Sequence, residues 1–511
     1  MKSGHRKILQ SSLTVSFFTL LMGIFNYLTL IILASRFGTR VEMDAFFAAT
    51  TVPQLVLAIL YATLSNVLIP VFIESRSREE SKAWRMASLC TNLVFIFLCI
   101  FVIVGSRWSE NVIALINPGF PEGTSALSAS LFQLFLMSLV FSGTSVVLSS
   151  LHYAQQKYFL PSLAQGLNSL ITFLFVLSFR SSLGIKSIAL GTILGSLIQF
   201  FILLPLLLKK QRYRFTLDFR TGEMGKLSLL MLPLLAGSII YKANTLVERF
   251  IASNLGEGAI SYLGYANRII SALLVMITQG LSTVLFPRMS EYSARKDFQG
   301  LSEILSKGLR VLVIVTFPVA FLLILARYEL VRLVFERGGF TPLDTQAVGK
   351  ALVAYLGFFV AASLGLPIVN ALYSLQETFR VGIFGVFGFI IYVFLAFTLS
   401  HHFSYTGIAM AASIQSGLNI FIFYSIIQRK LGRQPNLLLI RSLFKSITAS
   451  GFMTCALLGS QRFIKGLVAY PFDLIILGVF SIFIYALVLV ILKTEEIGFV
   501  IPLPFFRKGR I

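Results

Sequence analysis

Apolar residues run in long blocks along this chain, separated by short polar stretches rich in lysine, arginine, glycine and proline. The blocks reach about 20 residues or more, the length an α-helix needs to cross the hydrocarbon core of a bilayer. They predict spans at about Leu13–Ala34, Asp44–Ile73, Met86–Gly105, Ser125–Tyr153, Pro161–Leu177, Ile185–Leu208 and Leu227–Ser253. Seven more follow at about Ala259–Phe286, Leu309–Leu325, Ala347–Leu375, Val381–Ser400, Tyr405–Ile427, Leu443–Leu458 and Leu474–Leu492. The larger basic clusters follow even-numbered spans: Arg76 to Arg85 after the second, Lys209 to Lys226 after the sixth, Arg429 to Arg441 after the twelfth. The positive-inside rule then puts both termini in the cytoplasm. Two odd-numbered connections carry turn signals instead, Asn117-Pro118-Gly119-Phe120-Pro121 and Arg337-Gly338-Gly339-Phe340-Thr341-Pro342.

The pattern repeats at a spacing of about 218 residues. Ile32-Leu33-Ala34-Ser35-Arg36-Phe37-Gly38 matches Phe250-Ile251-Ala252-Ser253-Asn254-Leu255-Gly256, and Leu64-Ser65-Asn66-Val67-Leu68-Ile69-Pro70 matches Leu281-Ser282-Thr283-Val284-Leu285-Phe286-Pro287. Gly119-Phe120 matches Gly339-Phe340, and Tyr153-Ala154-Gln155-Gln156 matches Tyr373-Ser374-Leu375-Gln376. Each repeat holds six spans. An even number makes both enter the membrane from the same side, the parallel symmetry of transporters whose halves rock about a midplane site. The expected fold is an all-α polytopic membrane protein of 14 transmembrane helices, two parallel six-helix lobes plus two C-terminal helices. Its parts are an N-lobe at 1–208, a cytoplasmic linker at 209–226, a C-lobe at 227–428, and a C-terminal pair with a basic tail at 429–511.

Composition agrees. Of 511 residues, 56% are hydrophobic and 13% charged, where a soluble domain carries about 25% charged. The net charge of +22 lies in loops facing anionic headgroups rather than on one face of a soluble domain, so it is no nucleic-acid signal. Cys90, Cys99 and Cys455 are scattered through apolar spans and give neither a disulfide framework nor a metal spacing. No nucleotide-binding loop, zinc motif or catalytic triad is present, so transport would draw on an ion gradient, the membrane potential or substrate supply.

The charges inside spans are the candidate chemistry, because a charge at bilayer depth costs about 2.5–3.5 kcal/mol on insertion scales and faces a partner or a watery cavity. Arg268, after Asn267 in span eight, reads as a snorkelling or helix-pairing arginine, or as a cavity cation for an anionic headgroup, for which the guanidinium fork is suited. Glu248-Arg249 reads as a local ion pair, or with Glu248 as a cation or proton site. Lys242 lies one and a half turns deeper, where snorkelling is harder, which favours a cavity-facing role. Asp44 opens span two and reads as an N-terminal cap or as part of the site. Asn26, Gln54, Asn66, Asn168 and Asn244 suit interhelical glue and cavity lining equally.

Taken together, several of these stretches resemble the MurJ/MviN family of the multidrug/oligosaccharidyl-lipid/polysaccharide exporter superfamily, over nearly the whole chain. They are Gly38 with Asp44-Ala45-Phe46-Phe47 and Pro53, Glu248-Arg249-x-Ile251-Ala252-Ser253, Tyr265-Ala266-Asn267-Arg268, Leu285-Phe286-Pro287-Arg288-Met289-Ser290, and Arg337-Gly338-Gly339-Phe340-Thr341. The resemblance implies a flippase for lipid II, the undecaprenyl-pyrophosphate-linked peptidoglycan precursor, in a bacterial inner membrane. It implies a central cationic cavity for the pyrophosphate and sugars, and a groove from the last two spans for the lipid tail. Arg268, Lys242, Arg249, Asp44 and Asn267 would contact substrate, and Glu248 would couple to Na+ or H+. No cofactor or metal is implied; the partners are the lipid-linked glycan, membrane lipids and, further out, envelope-synthesis proteins. The family's arginines of spans one and two fall here on Gly23, Thr29 and Leu57, with a neighbouring basic position on Ala58. That departure keeps open a lipid-linked exopolysaccharide or O-antigen unit as substrate, and an ion-coupled exporter of small amphiphiles as a second class.

Overall fold

The computed structural model describes residues 2–208, 213, 215–216, 225, 231, 235, 239, 243–432, 437–464 and 472–494, and among them it is helical without a strand. In chain order the helices are α1 (Lys2–Phe37), α2 (Val41–Arg78), α3 (Glu80–Arg107), α4 (Ser109–Ile116), α5 (Glu122–Ala154), α6 (Phe159–Phe179), α7 (Lys186–Leu203) and α8 (Pro205–Leu208). Then come α9 (243–252), α10 (Ala259–Ala294), α11 (Phe298–Leu325), α12 (Arg327–Phe335), α13 (Pro342–Ala354), α14 (Leu356–Ser374), α15 (Thr378–Lys430), α16 (Leu437–Ile464) and α17 (Phe472–Ile491).

Ten of the described helices are long and apolar enough to cross a membrane. One of them is two spans. α15 is two helices that abut without a gap over 53 residues and turn at Ser404, with φ 54° and ψ −142°. Its ends meet: Lys430 pairs with Glu377 just before the helix begins, and Arg380 lies 3.2 Å from the same carboxylate. This pair is the predicted spans eleven and twelve. With α9 ending the seventh span and α16 and α17 as the last two, the count of 14 and the all-α polytopic class follow. The predicted tenth span differs in detail, because the helix is interrupted at Tyr355 into α13 and α14.

The chain packs as two compact units, Met1–Ser261 with Arg337–Phe340, and Tyr262–Glu336 with Thr341–Ile511. In the first, α5 packs on α2, α3 and α7, and α6 packs on α1 and α7. Lipid offers no hydrophobic drive for helix pairing, so close approach of small residues supplies the contact. Gly195 shows it: a Cβ there would lie 2.7 Å from the backbone oxygen of Asn168.

The segment 337–340 belongs to the first unit through a backbone dock. Gly339 N donates to the Ser35 carbonyl at 2.6 Å, and Phe340 is buried. Gly338 sits at φ +60°, and a Cβ on it would come within 2.2 Å of the same carbonyl. The counterpart loop does the same with the other repeat's corner. Gly119 N donates to Ser253 Oγ at 3.3 Å, and a Cβ on Gly119 would lie 2.4 Å from the Ser253 carbonyl. Since Gly119 and Gly339, and Ser35 and Ser253, are repeat mates, each glycine–phenylalanine loop docks on the helix corner of the opposite repeat.

In the second unit α11 packs on α14 and α16, α16 on α17, and α14 on α15. Ile314, Ala449, Met453, Tyr485 and Leu489 form a buried cluster where α16 and α17 meet α11. An apolar cavity of about 490 Å³ opens among α11, α14 and α15, walled by residues such as Phe317, Phe321, Val360 and Ile420.

Candidate functional site

Three of the candidate residues meet at the start of α10. An α-helix begins with backbone N–H groups that lack intrahelical acceptors, and here the acceptor arrives from another helix. Asp44 Oδ2 accepts from Gly258 N at 2.7 Å, and Oδ1 accepts from Ser261 N at 2.8 Å and Ser261 Oγ at 2.5 Å. Asp44 is therefore a cap, but of α10 rather than of α2. It lies four residues past Arg40, the N-cap position of α2, whose own side chain makes no cap bond. The carboxylate's charge also suits the positive end of the helix dipole.

Beside it, Arg249 is buried. Its Nη1 donates to the Ile260 carbonyl at 3.1 Å and lies 3.5 Å from Glu248 Oε1. Its guanidinium carbon stands 5.7 Å from the centroid of Phe47, from the same Asp44-Ala45-Phe46-Phe47 stretch. Glu248 is also buried. A buried pair of this kind is costly to break by removing one member alone. The geometry is that of a local ion pair bracing the α9–α10 corner.

Arg268 lies elsewhere, nine residues into α10 and in the second unit, with an exposed side chain. Asn267 is half-buried, and its Oδ1 accepts from Ser271 Oγ at 2.9 Å. Lys242 lies outside the described residues. The cavity of α11, α14 and α15 contains none of the predicted site residues.

Two features add to the residues that the sequence singles out. Arg310, in α11, is buried; it sits at the edge of the apolar block beginning at Leu309, where it passes for a loop cation. The second is a set of amides between α2, α6 and α7. Asn168 Nδ2 donates to Gln199 Oε1 at 2.6 Å, and the Tyr61 hydroxyl turns toward the amides of Gln199 and Gln165. Asn168 carried a signal as a polar residue inside a span, but its partner is 31 positions away.

Fourteen spans, twelve of them in two six-span repeats and the last two appended, define a polytopic all-α membrane protein. Solved structures share the fold. One titled "Lipid II flippase MurJ, inward closed conformation" superposes with a TM-score of 0.82, covering 94% of this chain and 99% of its own, at 22% identity. An inward-facing multidrug resistance MATE family transporter gives 0.71 over 80% of this chain and 94% of its own, at 13% identity. The family model described as "Lipid II flippase MurJ" matches residues 33–478, and the chain belongs to that family. A probable lipid II flippase MurJ of Buchnera aphidicola subsp. Schizaphis graminum is 29% identical across 82% of both chains. One of Aquifex aeolicus is 26% identical across 99% of this chain and 98% of its own.

Proposed function

We propose that this protein flips lipid II from the inner to the outer leaflet of the bacterial cytoplasmic membrane by alternating access. Membership in the lipid II flippase family across residues 33–478 carries the reading. The likeness in fold to an inward-facing MATE transporter supports rocking of two halves as the motion.

In this reading Arg268, exposed on α10 with Asn267 and Ser271 beside it, binds the pyrophosphate of the headgroup. Lys242 supplies a second cation. Asp44 and Arg249 act on the substrate indirectly, by holding the corner from which α10 starts. Glu248 already has the Arg249 guanidinium as counter-charge, so the membrane potential, or a Na+ or H+ gradient acting elsewhere, drives the cycle. Both termini lie in the cytoplasm. Envelope-synthesis proteins are the partners that would deliver and consume the lipid.

The test is complementation of a bacterium depleted of its own lipid II flippase, with lipid II assayed at the outer face. Rescue by the wild-type chain, lost in Arg268→Ala, is the expected result. Failure of correctly inserted wild-type protein to rescue would overturn the reading.

A further inference from the structure

The wall that α2 presents inside the first unit is polar without being charged. Beyond its buried first turns, the exposed positions of α2 run Gln54, Tyr61 and Asn66, before Pro70 and Ile73 at its far end. A helix facing lipid would expose its apolar residues and bury these three. Gln54, Tyr61 and the half-buried Ser65 fall on one face at spacings of seven and four, so this face carries polar groups that the rest of the first unit leaves uncovered. Tyr61 keeps 40% of its surface exposed, while its hydroxyl turns inward to Gln165 and Gln199.

Behind it the amides are preorganised. Gln199 is 3% exposed and its Oε1 is held by Asn168 Nδ2 at 2.6 Å. Asn168 is itself seated against Gly195, where a Cβ would meet its Oδ1 at 2.5 Å. Thr172 Oγ1 ties the same turn, donating to the Asn168 carbonyl at 2.9 Å. Gln165 stands three residues before Asn168 on the same face of α6 and is half-buried. The helices that build this wall contain no lysine or arginine from Val41 to Ser75, from Tyr158 to Phe179, or from Ser187 to Leu208. Such a surface offers a phosphate no countercharge. It offers hydroxyl and amide groups a fixed set of donors and acceptors, which reject an analogue that cannot use them.

We propose that Tyr61, Gln165 and Gln54, backed by the Asn168–Gln199 pair, form a neutral hydrogen-bonding site for the sugar hydroxyl and amide groups of the carried lipid. The site rests on the flippase reading and deepens it, by separating recognition of the glycan in the first unit from recognition of the pyrophosphate.

The experiment titrates the full-length protein in nanodiscs, by native mass spectrometry, with two lipids in turn. Lipid II carries the glycan; undecaprenyl pyrophosphate has the same chain and pyrophosphate without it. Tyr61→Phe and Gln165→Ala are each expected to weaken lipid II binding about 5- to 10-fold, the scale of one buried hydrogen bond. Binding of undecaprenyl pyrophosphate should move less than twofold. Gln54→Ala, at an exposed position, repeats the test if either inner variant aggregates. Equal losses for both lipids, or no loss for lipid II, would overturn the site while leaving the flippase reading standing. Wild-type protein that binds neither lipid would overturn that reading, and this site with it.

Discussion

Tyr485 donates its hydroxyl hydrogen to the carbonyl of Ile314 at 2.8 Å, and the reason lies four residues along α11. The carbonyl of Ile314 would accept from the backbone N–H of residue 318, but that residue is Pro318, which has none. In a span no water is at hand to replace it. The phenol from α17 fills the vacancy, and Ser446 from α16 joins it, 2.9 Å from the Tyr485 hydroxyl and 3.2 Å from the Val313 carbonyl. The two C-terminal spans are thus pinned to the second unit at the point where a proline opens α11.

That explanation predicts a coupling. Tyr485→Phe removes one hydroxyl and strands a buried carbonyl, at a cost of about 1–3 kcal/mol. Pro318→Ala restores the missing N–H, so Tyr485→Phe should then cost less than half as much. Thermal unfolding of the four proteins in detergent closes the cycle. Equal costs in both backgrounds would show that Pro318 is not why Tyr485 is needed.

Asp44 is expected to act on stability as well as transport. Asp44→Ala leaves two backbone N–H groups and a hydroxyl at the start of α10 without their acceptor, worth about 2 kcal/mol or more together. Asp44→Asn keeps one acceptor oxygen but sets an NH2 against a donor, so it should recover only part of the loss. An Asp44→Asn protein as stable as wild type would mean the three hydrogen bonds are not what matters at this carboxylate.

Much of this fold could be read from the residues, and the parts that could not have a common cause. Span positions are written in local block length, which is why the two arms of α15 are legible as two spans although no loop separates them at Ser404. The repeat was readable too, yet not its consequence, that Gly119 and Gly339 dock on each other's corners. Asp44 was recognisable as a cap from its type and position, but its target is 214 residues away, and no local rule names it. Tyr61 and Gln165 escaped notice because a polar residue in a span is as apt for helix pairing as for lining a cavity. Only the burial pattern separates the two roles.

Gly338 and Gly184 separate backbone strain from close approach. Both have positive φ, at +60° and +56°, so alanine at either costs about 1 kcal/mol from conformation alone. Around Gly184 a Cβ would meet nothing within 4 Å, whereas at Gly338 it would meet the Ser35 carbonyl at 2.2 Å. Gly338→Ala should therefore lower the unfolding temperature clearly more than Gly184→Ala, because the obstructing atom is backbone and cannot swing aside. Matching shifts would mean that the 337–340 segment yields easily and is not firmly docked.

The Glu248–Arg249 pair yields the prediction that bears most directly on energy coupling. Both side chains are buried, and the guanidinium stands 3.5 Å from the carboxylate. Arg249→Ala removes a buried counter-charge from beside Glu248, a loss of about 3–5 kcal/mol of the kind seen when a buried pair is broken. Replacing both, as Glu248→Gln with Arg249→Met, removes the two desolvation costs together and should return most of the stability. A structural pair also predicts something about transport. The double variant, once folded, should move substrate with the same dependence on sodium and on pH as wild type, since no proton or cation was ever taken up at Glu248. Proteoliposome transport measured across sodium and pH gradients reads this directly. If the double variant is stable but has lost a sodium or proton dependence that the wild type shows, Glu248 is the coupling site, and Arg249 is the cation that must swing away to free it.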